Sequence, residues 1–300
     1  MHVKNPGFLN SFQPSSSFDA SCIKLGWRCM TLYYVTVERG VKIAVYDLNP
    51  RCGKAVFFIH GWPINHNMFE YQFNVLSQLG FRCISVDLRG FGNSDAPWDG
   101  YSYDRMADDI YEVIRTLNVS DITLVGFSMG GPIAIRYMTR HRGYKVSRLV
   151  LLAAAAPSFT KREGYPYGMT PEAVDMLIAQ AYRNRPQMAE DFGRMFFASK
   201  VTEGFTRWFN TLNYSAAGHS IIKTAESLRD SDLRGDLAQI HVPTAIFHGV
   251  LDKICPYEFA ILMNKGIQNS QLFRFEQSGH GVFYDELDKF NRELINYLNS

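Results

Sequence analysis

From residue 33 onward, short apolar runs alternate with longer amphipathic stretches. The segments 33–37 and 41–47, separated by Arg39-Gly40, predict two antiparallel strands joined by a tight turn. Val56-Phe57-Phe58-Ile59 has no polar interruption, which predicts a strand buried on both faces. A helical stretch over 69–79 is stopped by Gly80. The rhythm continues with a strand over 82–86, a Gly-rich loop over 88–96 and a helix over 103–117. A strand over 122–125, a helix over 129–140 and a strand over 149–152 follow.

Between residues 157 and 241 the rhythm breaks into helical patterns rich in Tyr, Phe, Met and Trp. Strands resume at 244–247 and 271–275, with helices near 258–265 and 285–298. The eight strands and their intervening helices predict an α/β fold, a mostly parallel sheet with helices on both faces. Because the strand rhythm returns, the region of about 157–241 reads as an inserted helical cap within a unit spanning 30–300. Residues 1–29, with their Ser/Pro/Phe mixture, read as a flexible extension, and Met30 as the natural start or the first residue of the folded unit.

Composition narrows the function classes. A chain with 46% hydrophobic and 20% charged residues has a core to bury and is not disordered. A formal charge of +2 with no Lys/Arg cluster gives no footprint for nucleic acid or an anionic membrane. The longest apolar run, 149–156, is far short of the roughly 20 residues that span a bilayer. Five scattered cysteines and the absence of an apolar signal-like start fit a reducing, cytoplasmic compartment. His, Cys, Asp and Glu never cluster at ligand spacing, so neither a metal nor a cofactor is expected.

The chemistry concentrates in four loops. Gly126-Phe127-Ser128-Met129-Gly130 falls where a strand ends and a helix begins, the setting of a nucleophile elbow that lifts a serine hydroxyl clear of the sheet. Serine is a weak nucleophile until a base takes its proton. In this elbow type the base follows the nucleophile late in the chain, and His280, in Ser278-Gly279-His280-Gly281 after the last strand, meets that order. His60 reads as a structural loop residue, His241 and His248 as core or turn, and His66 as a loop histidine with no acid to orient it. Asp252, just past the strand over 244–247, is the candidate acid that fixes the histidine tautomer. Asp230, Asp232 and Asp236 read as a solvated face. Two backbone amides, each worth about 3–4 kcal/mol toward an oxyanion, are assigned to Met129 and to Trp62 in His60-Gly61-Trp62-Pro63. The loop Asp87-Leu88-Arg89-Gly90-Phe91-Gly92-Asn93-Ser94 reads as a rigid turn held by local hydrogen bonds.

In this order and with the cap between the sixth and seventh strands, these motifs resemble the α/β-hydrolase fold over about residues 31–300. The loops around Trp62, Asp87–Ser94, Ser128 and His280 are similar to those of the cofactor-free (non-haem) haloperoxidases, which are also esterases and perhydrolases. Epoxide hydrolases and haloalkane dehalogenases share the His-Gly-x-Pro loop but place aspartate where this chain has Ser128. Two positions depart from the pattern. Val250 stands where many relatives carry a second aspartate, and Pro63 occupies a variable position linked to the balance between water and peroxide as acyl acceptor.

The expectation is a serine hydrolase acting on a small uncharged ester, with perhydrolysis by hydrogen peroxide as a side reaction implied by the resemblance. Phe127, Trp62 and the cap aromatics Phe159, Phe197 and Trp208 are the candidate pocket residues. Phe192, Phe196, Phe205 and Phe209 are further aromatics that could line it, although over half of such residues would be cap core. A lactonase or carbon–carbon bond hydrolase would use the same triad, and a ligand-binding protein on the same fold is the alternative of another class.

Overall fold

The computed structural model describes residues 30–50 and 53–300. The extension expected over 1–29 lies outside the described residues. The strands are β1 (Met30–Glu38), β2 (Val41–Leu48), β3 (Ala55–Ile59), β4 (Arg82–Val86), β5 (Ile122–Phe127), β6 (Val146–Leu152), β7 (Thr244–Gly249) and β8 (Ser270–Phe275). They form one sheet in the order β1-β2-β4-β3-β5-β6-β7-β8. β1 and β2 pair antiparallel, as do β2 and β4, and every later pairing is parallel. This is the α/β-hydrolase architecture.

All residues of β3 and β5 are buried, as expected for strands covered on both faces. The strand order reverses beside β3, whose neighbours are β4 on one side and β5 on the other. Such a switch point opens a crevice at the carboxyl ends of the strands, where ligands of open α/β sheets bind.

The helices are α1 (Glu70–Gln78), α2 (Tyr103–Leu117), α3 (Gly130–Arg140), α4 (Pro171–Gly193), α5 (Glu203–Tyr214), α6 (Gly218–Asp230), α7 (Tyr257–Gly266), the short α8 (Val282–Asp285) and α9 (Leu287–Asn299). The segment between β6 and β7 supplies α4, α5 and α6. α4 is kinked at Asn184, where φ −155° and ψ 78° leave the helical region two residues before Pro186. Proline removes a helical donor and crowds the preceding turn, which accounts for the break. No helix among the described residues is long and apolar enough to cross a membrane.

Three boundaries differ from the pattern-based expectation. β6 begins at Val146, because half-buried Ser147 and Arg148 hide the start of a strand that pairs with β5 through a register shift. The helix expected over 69–79 is preceded by a 3-10 turn, His66–Phe69, capped by the Asn65 side chain. The last helix is split into α8 and α9 at Glu286, whose φ −120° and ψ 54° are not helical. The carboxylates of Asp285 and Glu286 turn back at this break to accept hydrogen bonds from residues 277–279.

The loop after β4 is held from within. Asn93 N–H donates to Asp87 Oδ2 at 2.8 Å, and Phe91 N–H to the Leu88 carbonyl at 2.9 Å. Arg89 is completely buried and forms a bidentate pair with Asp109 of α2 at 2.6 and 2.7 Å. A guanidinium can be buried only with such pairing, so this fork clamps the loop to α2.

Candidate active site

Ser128 sits between β5 and α3 with φ +50°, a left-handed conformation that a side-chain-bearing residue adopts at a cost of about 1–3 kcal/mol. Its neighbours impose that turn. Ser128 N–H donates to the Leu152 carbonyl at 3.0 Å, and its own carbonyl accepts from Gly131 at 2.9 Å and Ala155 at 3.0 Å. The elbow also packs too tightly for larger residues: a Cβ on Gly130 would lie 2.3 Å from the Ile59 carbonyl oxygen. A Cβ on Gly61 would lie 2.7 Å from the Cβ of Ser128, so the loop after β3 runs directly beside the serine.

That loop carries Trp62. The indole is fixed by a 3.0 Å hydrogen bond from Nε1 to the Ile221 carbonyl of α6 and by an edge-on contact with Phe192, 4.9 Å between centroids. Met129 is the N-cap of α3, so its amide belongs to a helix N-terminus, where unsatisfied N–H groups and the dipole favour developing negative charge. Neither the Trp62 nor the Met129 amide donates to another backbone group in the turns and loops of the described residues.

His280 is fully buried on the loop between β8 and α8, and its Nδ1 lies 2.8 Å from Asp252 Oδ2. A carboxylate at that distance requires the proton on Nδ1, which leaves the lone pair of the neutral ring on Nε2. Nε2 is buried and has no hydrogen-bond partner. Nε2 therefore does not bond to Ser128 Oγ here; catalytic hydrogen bonds of this kind commonly tighten only in the complex with substrate.

Asp252 is held from three sides. Oδ1 accepts from the N–H groups of Ile254 at 2.8 Å and Cys255 at 2.9 Å, while Oδ2 faces His280. Burial alone would push this carboxyl upward. His280 and hydrogen bonds from two histidines outweigh it and hold the group far below the usual carboxylate range.

The second of those histidines is His248, whose Nε2 lies 2.8 Å from the Cys255 carbonyl and 3.4 Å from Asp252 Oδ2. Its place at the end of β7 was legible, but its contact with the acid was not. That contact depends on the turn of residues 249–255 folding back on the strand. The acid and histidine loops are bonded together in turn, with Leu251 N–H donating to the Ser278 carbonyl at 3.0 Å.

His66 corrects the sequence reading. It has an acid: Nδ1 lies 2.8 Å from Asp87 Oδ1, and the ring stacks on Tyr46 at 3.4 Å. The two residues are 21 apart in sequence but follow β3 and β4, which are parallel neighbours, so their loops meet. His60 is buried in the same layer, with Nδ1 2.8 Å from the Gly61 carbonyl and Nε2 accepting from Leu88 N–H at 3.0 Å. Burial lowers its pKa to about 4, leaving a neutral structural ring.

Of the candidate pocket residues, Phe127 packs 4.9 Å from the His280 ring, and Phe197 lies over Gly281. Phe159 places its carbonyl oxygen under Gly168, and Trp208 packs on Tyr71 and Phe205; the structure does not bring these two rings to His280. From the segment between β6 and β7, Phe196 also reaches His280, at 5.0 Å, and Phe192 packs against Trp62. Local sequence marks all of these as apolar without saying which of them meets the histidine loop. Among the described residues no three His, Cys, Asp or Glu side chains gather to hold a metal.

Comparison with known proteins agrees with the fold. Residues 54–287 match the family model described as alpha/beta hydrolase fold. The chain is 49% identical over 268 residues to the AB hydrolase superfamily protein YisY of Bacillus subtilis, covering 89% of this chain and 99% of that protein. It is 32% identical to the non-heme chloroperoxidase CPO-A1 of Kitasatospora aureofaciens, covering 88% of this chain and 98% of the other. The solved structure of an esterase, EaEST from Exiguobacterium antarcticum, superposes with a TM-score of 0.88 at 48% identity, over 90% of this chain and all of that one.

Proposed function

The chain belongs to the alpha/beta hydrolase fold family and is an enzyme of that fold, and from this premise we propose that it cleaves small, uncharged carboxylic esters through an acyl-enzyme at Ser128. The observation that carries this reading is the state of His280: one nitrogen is anchored to Asp252, and the other is buried, unpartnered and ready to accept a proton.

In this mechanism Ser128 Oγ attacks the ester carbonyl while His280 Nε2 takes the hydroxyl proton. Asp252 keeps the ring in the productive tautomer and stabilises the imidazolium. The amides of Trp62 and Met129 receive the oxyanion of the tetrahedral intermediate. Its collapse breaks the bond to the alcohol, which leaves with the proton from Nε2, and the acyl group remains on Ser128. Water then gives its proton to Nε2 and attacks the acyl carbon, and collapse returns the proton to Ser128. The helical segment of about 157–241 acts as the cap of a single catalytic unit spanning 30–300.

A second reading is favoured by the chloroperoxidase relative. Hydrogen peroxide in place of water deacylates the same intermediate to a peracid, which can then oxidise halide. Both readings share the first half-reaction, so one variant tests them. Ser128→Ala is expected to lower turnover of p-nitrophenyl acetate by about 10⁴-fold or more. Undiminished turnover in the purified variant overturns the mechanism.

A further inference from the structure

Residues 196–199, which join α4 to α5, are fastened to the histidine loop by a side chain outside the proposed triad. Asp285, at the end of α8, accepts from the Ala198 N–H at 2.9 Å and from the Gly279 N–H at 2.8 Å, both on Oδ2. Its Oδ1 accepts from the Ser199 N–H at 3.0 Å and from the Ser199 hydroxyl. Gly281 N–H adds a 2.7 Å bond to the Phe196 carbonyl. The two segments interlock so closely that a Cβ on Gly281 would lie 2.2 Å from the Phe197 ring. One carboxylate thus accepts from the cap segment and from the residue next to His280, and bonds to an ionised acceptor are the strong ones.

The clamped segment is the roof of the site. Phe196 lies against His280 and Phe192 against the Trp62 indole, so an aromatic layer runs from the proposed base to that indole. Phe197, Val201 and Phe209 also line a cleft of about 350 Å³ between α4 and α5, together with the polar Ser199, Glu190 and Arg194. Ser199 therefore belongs both to the clamp and to the cleft wall, and Phe197 stands between the cleft and the histidine loop.

We infer that Asp285 is a positioning residue that sets the length of the acyl chain accepted at Ser128, an inference that rests on the ester-cleaving mechanism proposed above. With the clamp closed, Phe196 and Phe197 stay over the histidine loop and a short acyl group fits beneath them. A long chain needs the cleft, and it reaches the cleft only if Phe197 and residues 198–199 lift off Asp285. Releasing the clamp removes that cost for long chains and loosens His280 for all substrates. A residue that merely supported the fold would lower activity equally on both.

The test compares p-nitrophenyl acetate and octanoate with wild type, Asp285→Asn and Ser199→Ala. In Asp285→Asn an amide NH₂ or a neutral oxygen replaces the oxygens that face four donors. Its octanoate-to-acetate ratio of kcat/KM is expected to rise about fivefold or more, through a lower kcat on acetate and a lower KM on octanoate. Ser199→Ala, which removes a single hydroxyl donor, moves the ratio about twofold in the same direction. Unchanged ratios overturn the inference, and Ser199→Ala alone decides it if Asp285→Asn does not fold. If wild type hydrolyses neither ester, the ester-cleaving reading fails, while the rates at which short- and long-chain alkyl fluorophosphonates label Ser128 still decide the clamp.

Discussion

Two buried histidine–aspartate pairs, His280–Asp252 and His66–Asp87, stand in loops beyond the carboxyl ends of the strands, and both close at 2.8 Å through Nδ1. In both, the carboxylate is saturated by further donors. Asp252 accepts two backbone amides, and Asp87 accepts from Tyr46 Oη at 3.0 Å and from the amides of Asn93 and His66. In both, burial pushes the carboxyl up and the histidine partner helps to bring it below its ordinary value. The pairs diverge in the rest of the ring. His66 lies flat on Tyr46, whereas His280 presents a buried, unpartnered Nε2 beside Phe127 and Phe196. The His–Asp bond is a device for fixing an imidazole. In the mechanism proposed above only His280 acts as a base, so the pairing by itself does not mark one.

The largest expected effect separates the two pairs by activity. His280→Ala should lower ester turnover by about 10⁴-fold or more, while His66→Ala stays within about threefold of wild type. A folded His66→Ala protein without activity would break the distinction. The next effect reverses the order. His66→Ala strands the buried Asp87 carboxylate without its main partner and should cost about 3 kcal/mol in urea unfolding at neutral pH. A loss below about 1 kcal/mol would show that Tyr46 and the two amides suffice for Asp87.

The smallest effect tests the third histidine of this layer, His60. Its folded pKa of about 4 lies below the ordinary 6.5, so the unfolded chain binds the extra proton first. Its contribution is complete above about pH 6.5 and is lost as pH falls toward 4. Between pH 7 and pH 4.5 it amounts to about 2–3 kcal/mol. Comparing the pH dependence of urea midpoints in wild type and His60→Gln isolates it; identical slopes would mean that His60 is protonated in the folded protein.

Much of this molecule was legible in local pattern. β4 and α2 fall where alternation and helical periodicity place them, and the core strands β3 and β5 are as uniformly apolar as their burial requires. Ser128, Asp252 and His280 could be nominated because each follows a strand in a turn-forming context, in the order the elbow type requires. Phe196, His248 and Asp285 could not be nominated in the same way. An aromatic between two helices, a histidine at a strand end and a carboxylate at the end of a short helix look alike whether or not they touch a site.

The sequence by itself determined the elements, their order and the loops that carry Ser128, Asp252 and His280, because strand period, helix period and turn glycines act over a few residues. Only the tertiary structure decided which loops touch. β3 lies between β4 and β5, which sets His66 against Asp87 and Gly61 beside Ser128. The fold-back of residues 282–286 sets Asp285 against residues 198–199 and 279. These contacts span up to 87 positions of chain, and their geometry comes from sheet order and close packing, which no short-range pattern encodes.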